Sequence, residues 1–161
     1  MTSPPGVEDG RPTLRDVEER DLPIFLEQQL DPEATRMAAF PARPPAAFMA
    51  HWAKLLLDRT VDVQTVVVDG QVAGNVVCWG PPGERLVGTW LGRDFWGRGI
   101  AGAALAQFLR RVTTRPLFAR VAKTNVASLR VLEKCGFVLA GEDRFATADG
   151  SGGEEHILTL G

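Results

Sequence analysis

The stretch Leu91-Gly92-Arg93-Asp94-Phe95-Trp96-Gly97-Arg98-Gly99-Ile100-Ala101-Gly102 constrains this chain more than any other. It follows a strand-like run, Arg85 to Leu91, and leads straight into a helical pattern. In that pattern Leu105, Phe108, Leu109 and Val112 recur at i, i+3, i+4 and i+7, which places them on one buried face. Glycines and an arginine therefore separate the end of a strand from the first turn of a helix. A helix N-terminus carries unpaired N–H groups and a partial positive charge, and glycines let a ligand approach them closely. Two readings stand at this point. The loop is an anion site suited to phosphate, or a tight turn whose glycines serve packing.

The rest of the chain supplies a frame for that junction. Residues 1–10 read as a flexible tail, and 11–161 as one domain. Pro12 to Val17 is a first strand and Glu18 to Leu30 a helix with Leu22, Phe25, Leu26 and Leu30 on its apolar stripe. Pro23 is tolerated because it falls in the first turn. Asp31 to Pro45, with four prolines, is too irregular for a long helix. Phe48, Trp52, Leu55 and Leu56 mark a second helix ending near Asp58. Gln64 to Val68 and Gln71 to Trp79 flank Asp69-Gly70, a hairpin signal. Pro81-Pro82-Gly83 then turns the chain into the strand that precedes the glycine-rich loop.

Beyond the following helix, Pro116 to Ala122 reads as a strand and Asn125 to Cys135 as a helix. Asn125 or Thr124 caps its start, and Gly136 ends it. Phe137 to Ala146 and Glu154 to Leu160 close the fold, with residues 147–153 a mobile tip. The order β-α-α-β-β-β-α-β-α-β-β predicts an α+β (mixed α/β) domain. Its sheet is mixed, twisted and mostly antiparallel, with six to seven strands and about four flanking helices.

Composition narrows the function classes. The net charge is −2, so no strong overall field favours nucleic acid or an anionic membrane, although net charge leaves room for a local basic patch. No apolar run approaches the ~20 residues of a membrane helix, and the N-terminal residues lack the order of a signal peptide. Cys78 and Cys135 have no metal-ligand spacing and read as buried thiols in a reducing, cytoplasmic compartment. No metal site is expected.

Two segments together resemble the GNAT superfamily of N-acetyltransferases. Trp96-Gly97-Arg98-Gly99-Ile100-Ala101 is similar to its Q/R-x-x-G-x-G/A loop, with Trp96 in place of the first polar residue. Asn125 to Phe137 is similar to its second motif, an Asn-led helix ending in Lys-x-Gly-Phe. The Trp-Gly-Arg-Gly loop and the Asn-x-x-Ser start resemble the branch of ribosomal-protein N-terminal alanine acetyltransferases. The resemblance implies acetyl-CoA as acetyl donor. Its pyrophosphate would lie on the backbone of Gly97, Arg98, Gly99, Ile100, Ala101 and Gly102, beside Trp96. The pantetheine arm would run along Thr89, Trp90 and Leu91, with Asn125 and Ser128 near its end, in a slot opened by the splaying of the next strand.

Acetyl transfer requires a deprotonated amine, a donor for the developing oxyanion and an acid for the leaving thiolate. By resemblance an N–H near Leu91 is the oxyanion donor. Many relatives supply the acid as a tyrosine of the second motif. This chain has no tyrosine, and Leu132 stands at that position. In the branch this chain resembles, the serine opening this helix takes that role, which makes Ser128 the candidate acid, against a local helix-start hydrogen bond. Relatives often carry the base on the strand leading to the loop, which makes Glu84 the candidate base, against a solvated turn. Arg98 is the best phosphate cation, ahead of Arg130 and Lys134. Asp94 is a turn residue, His51 and His156 are structural or surface groups, and Cys135 packs. In the family the first two helices and their connecting loop line the amine side, so the resemblance makes Arg36, Met37 and Phe40 candidate lining residues, against simple packing of that loop onto the sheet. The expected activity is acetylation of a primary amine of a peptide terminus, amino acid or small metabolite. A non-catalytic acyl-CoA-binding or sensing module is the alternative. Expected partners are that amine and, in a homodimer, a second copy of the chain; nucleic acid and membrane are not expected.

Overall fold

The computed structural model describes residues 10–38, 42–145 and 152–161. Residues 1–9 of the expected N-terminal tail and most of the 147–153 tip lie outside them. Seven strands form one sheet: β1 (Thr13–Arg15), β2 (Asp62–Val68), β3 (Gln71–Trp79), β4 (Leu86–Leu91), β5 (Leu117–Ala122), β6 (Val138–Phe145) and β7 (Gly153–Leu160). Their order is β1-β2-β3-β4-β5-β7-β6. Every neighbouring pair is antiparallel except β4 and β5. The helices are α1 (Leu22–Gln29), α2 (Pro32–Ala38), α3 (Pro45–Leu57), α4 (Ile100–Arg111) and α5 (Val126–Lys134).

Side-chain alternation splits the sheet between two cores. Val66, Val68, Val76, Cys78, Val87 and Leu91 meet Ile100, Leu105, Phe108 and Leu109 of α4 on one face. Leu105, Phe108, Leu109 and Val112 are all buried, as their spacing requires, and burial of each large one contributes about 2–3 kcal/mol. On the other face Val63, Val72 and Val77 meet Leu22 and Phe25 of α1 and Phe48 and Trp52 of α3. Strand β5 continues the pattern: Leu117, Ala119 and Val121 join the α4 core, so Phe118 and Arg120 take the opposite face, where α2 packs.

Three elements differ from the sequence expectation. The segment from Asp31 to Pro45 is not wholly irregular, because its prolines sit where helices tolerate them. Pro32 opens α2 and Pro45 opens α3, and an opening residue has no intrahelical N–H bond to lose. The expected helix from Glu18 begins as a 3₁₀ turn, Glu19–Asp21, before α1. Leu30 leaves the apolar stripe and is 45% exposed, because α1 ends at Gln29.

Two buried charges hold the sheet's edges. Arg85 donates to the carbonyls of Gly80 (2.7 Å), Thr60 (2.7 Å) and Cys78 (3.2 Å). It thereby ties the ends of β2, β3 and β4 together. Asp21, fully buried, accepts from Arg15 at 2.7 and 2.8 Å, from Thr65 Oγ1 at 2.8 Å and from the Glu18 N–H at 2.9 Å. Burial pushes this carboxyl's pKa up, but those four hydrogen bonds outweigh it and hold the group below its ordinary value. A depressed folded-state pKa stabilises above the unfolded value and is lost as pH falls through the folded one. Asp21→Ala should therefore cost about 3 kcal/mol in urea unfolding at pH 7. The difference from the parent protein should shrink steadily below about pH 4, towards the folded-state pKa.

Candidate active site

Strands β4 and β5 run parallel but pair at one position, Leu86↔Phe118. There the Phe118 N–H donates to the Arg85 carbonyl at 2.8 Å. Past that point the strands part. Backbone polar groups alternate between the two edges of a strand. The Gly92 N–H goes to Ala73 on the β3 side at 2.8 Å, whereas the Arg85 carbonyl faces β5. Thr89 and Leu91, in phase with Arg85, therefore turn their N–H and C=O groups into the gap. The result is a slot walled by a free strand edge, able to pair with an extended, peptide-like ligand.

The slot opens at the glycine-rich loop. Gly97 (φ 71°) and Gly99 (φ 72°) adopt the left-handed conformation, which costs other residues roughly 1–2 kcal/mol. A Cβ at either would meet nothing within 4 Å. The space above the loop is thus open, and conformation rather than packing demands glycine. Gly99 begins α4 without any side-chain cap, so the first-turn N–H groups keep their positive end for an anion. Trp96 packs against the α4 core, and its Nε1 donates to the Leu91 carbonyl at 3.1 Å. That bond pins the loop to the end of β4 and leaves the Leu91 N–H facing the slot.

From the loop a groove of about 620 Å³ runs between α4 and α5. Gly99, Gly102, Ala103 and Ala106 form a stripe of small residues along α4, facing Val131, Lys134 and Cys135 of α5. Arg110 also borders it. Burial pushes the Cys135 thiol pKa up, and its Sγ lies 3.7 Å from the Gly102 carbonyl, which suits packing and not nucleophilic attack. At the start of α5, Asn125 Oδ1 accepts the Ser128 N–H at 3.3 Å. Asn125 is the cap, and the Ser128 hydroxyl makes no hydrogen bond among the described residues.

Residues 11–138 match the acetyltransferase (GNAT) domain. The chain belongs to the GNAT acetyltransferase family. No curated protein matches it in sequence. Among solved structures, the GNAT fold is shared with spermidine N-acetyltransferase from Vibrio cholerae in complex with CoA and spermine. That match has a TM-score of 0.81 at 16% identity and covers 92% of this chain and 94% of that one. Mycobacterium smegmatis RimJ in complex with CoA-disulfide gives 0.76 at 20% identity, over 92% and 81% of the two chains. The microcin C7 self-immunity acetyltransferase MccE, in complex with acetyl-CoA and AMP, gives 0.76 at 16% identity, over 98% and 97%.

The structure places the expected site residues as follows. Trp90 and Leu91 lie on β4 beside the slot, Trp96 and the residues from Gly97 to Gly102 form the loop and the first turn of α4, and Asn125 and Ser128 stand at the head of α5, just past the end of β5. Glu84 stands apart from them. It is exposed in the Pro81–Glu84 turn, at the closed end of the slot and about 20 Å along the strand from Leu91. Arg98 lies over the Phe95 ring and 3.9 Å from the Asp69 carboxylate, whereas Lys134, ranked behind it, borders the groove. Arg36 is tied to Glu33 on the outer surface of α2. Met37 shares a face with buried Ala34, one helical turn away, and Phe40 lies outside the described residues. Leu132, at the family's tyrosine position, is 6% exposed and belongs to the core. His51 stands edge-on to Trp52, and His156 lies in β7 beside Glu142, neither in the slot.

The expectation overlooked the slot's far wall. Arg120 of β5 is bracketed by Asp143 (2.6 Å) and Glu155 (3.1 Å) on the α2 face. Alternation in Leu117-Phe118-Ala119-Arg120-Val121 already set Arg120 opposite the apolar residues, but its two partners come from β6 and β7. Trp96→Phe keeps the packing and removes the bond to Leu91. It should lower unfolding free energy by about 1 kcal/mol and speed amide exchange at Gly97 to Gly99 in hydrogen-exchange measurements.

Proposed function

We propose that this protein transfers an acetyl group from acetyl-CoA to a primary amine. The parting of β4 and β5 beyond Leu86↔Phe118, in front of an uncapped helix N-terminus, carries the reading. The fit to CoA is chemical at each point. The N–H groups from Gly97 to Gly102 suit a pyrophosphate, and the Thr89 backbone groups with the Leu91 N–H suit the amides of pantetheine. The small-residue groove with Lys134 and Arg110 suits the nucleotide end. The known complexes of the GNAT-fold neighbours with CoA and acetyl-CoA support the same donor.

When bound, acetyl-CoA supplies a thioester, an acyl group already activated towards amines. The protein's part is to place and to polarise. Holding thioester and amine together in the slot removes most of the entropic cost of their encounter. The Leu91 N–H, which strand alternation turns into the slot, is the donor for negative charge developing on the acyl oxygen. The Ser128 hydroxyl, unengaged at the head of α5, is the group that hands a proton to the departing sulfur. On the opposite face two carboxylates around Arg120 leave one net negative charge, which draws an ammonium towards the slot. Met37 of α2 is a lining residue on that side. The two free thiols, Cys78 buried and Cys135 half-buried, suit a reducing compartment, the cytoplasm.

A core leucine at the usual tyrosine position favours one competing reading, an acyl-CoA sensor without turnover. Thioester consumption against a panel of amines decides between them: turnover on any amine supports the enzyme, and tight binding with none supports the sensor. Gly99→Val should raise the CoA dissociation constant at least tenfold in titration calorimetry while moving the melting temperature by only a few degrees. Unchanged affinity would sink the assignment of the loop. Ser128→Ala should lower kcat about 100-fold with CoA affinity intact.

A further inference from the structure

Trp90 lies in the open part of the slot, one residue before Leu91. The pairs Asn75↔Trp90 and Val77↔Gly88, with Val77 in the α1–α3 core, set its side chain on the face away from α4. On the same face the Trp79 ring covers Gly88 at 3.6 Å, and Arg120 stands on the facing strand. The Trp90 Nε1 is buried and has no hydrogen-bond partner among the described residues. Trp96, six residues on, satisfies the same group with the Leu91 carbonyl. A buried donor left unpaired forfeits its hydration without return, and native proteins keep few of them. Indole nitrogen only donates, so the missing partner is a hydrogen-bond acceptor.

We propose that the Trp90 Nε1–H is a specificity-determining donor that takes the carbonyl oxygen next to the amine being acetylated. The inference rests on the acetyl-transfer reading above. It selects α-aminoacyl compounds, meaning amino acid amides and peptide N-termini, over alkylamines and polyamines. A protonated polyamine has no oxygen to offer the indole. A free amino acid is disfavoured as well, because its carboxylate would approach the net negative charge of Asp143, Glu155 and Arg120. Pantetheine also carries amide carbonyls, but a ligand paired with the β4 edge presents them in the plane of the sheet. The Trp90 side chain leaves the strand roughly perpendicular to that plane.

The test compares kcat/KM for an amino acid amide and for the alkylamine of the same carbon skeleton, in the parent protein and in Trp90→Phe. Taking the ratio of the two ratios cancels the difference in amine basicity. The amide-to-alkylamine ratio should fall at least tenfold in the variant, whatever change the two rates share. Equal losses for both amines, or none for either, would overturn the proposal. A selective loss of CoA affinity would too, since it assigns the carbonyl to the donor. A second measurement does not depend on the variant's folding or on turnover. In ¹H–¹⁵N spectra of the parent protein with CoA, the amide, but not the alkylamine, should shift the Trp90 indole signal downfield. A signal unmoved at saturating amide refutes the inference. Absence of transfer to every amine instead refutes the acetyl-transfer reading, and this inference falls with it.

Discussion

The single pairing between β4 and β5 is the constraint on which the rest depends. A parallel ladder that stops after one position leaves a row of backbone groups unpaired in the middle of a sheet. Such groups are costly to bury alone, so the gap must be filled from outside. The parting also decides where helices go. Helix α4 starts where β4 ends, so its positive N-terminus and the strand's free edge converge on one place. Trp96 ties the two with a single hydrogen bond.

The opposite face is organised by charge. Arg93, just past the end of β4, pairs with Asp31 between α1 and α2 through Nε at 2.8 Å and through a second, shorter contact. That pair holds the α1–α2 corner against the slot, and α2 then reaches β5. Further back, the Asp21 cluster fixes the turn that launches α1 from β1. The slot thus separates two unlike surfaces. One is a glycine-rich cradle with basic residues along a groove. The other carries tryptophans and a guanidinium outnumbered by carboxylates.

Much of the fold was legible because its signals are local. Period-two runs, the Asp69-Gly70 turn, the Asn125 cap and the 3.6-residue spacing on α4 each depend on residues within a few positions of one another. Helix α2 was missed because prolines read as breakers, and only the structure shows Pro32 at the tolerant first position of α2 and Pro45 at that of α3. Glu84 was favoured as a base because it borders the right strand. Sequence does not say which end of that strand opens, and the pairing at Leu86↔Phe118 closes the end where Glu84 stands.

By itself the sequence determined the glycine-rich junction, the capped helix from Asn125 and, through their resemblance to a known pair of motifs, the family. These are properties of short segments, where backbone conformation and capping follow from residue type. Tertiary structure alone decided that Lys134 rather than Arg98 borders the groove. It also paired Arg120 with Asp143 and Glu155, and left the Trp90 indole without a partner while satisfying that of Trp96. Each of those outcomes depends on which strands pair and which face a side chain takes, and a register is fixed only when distant segments meet.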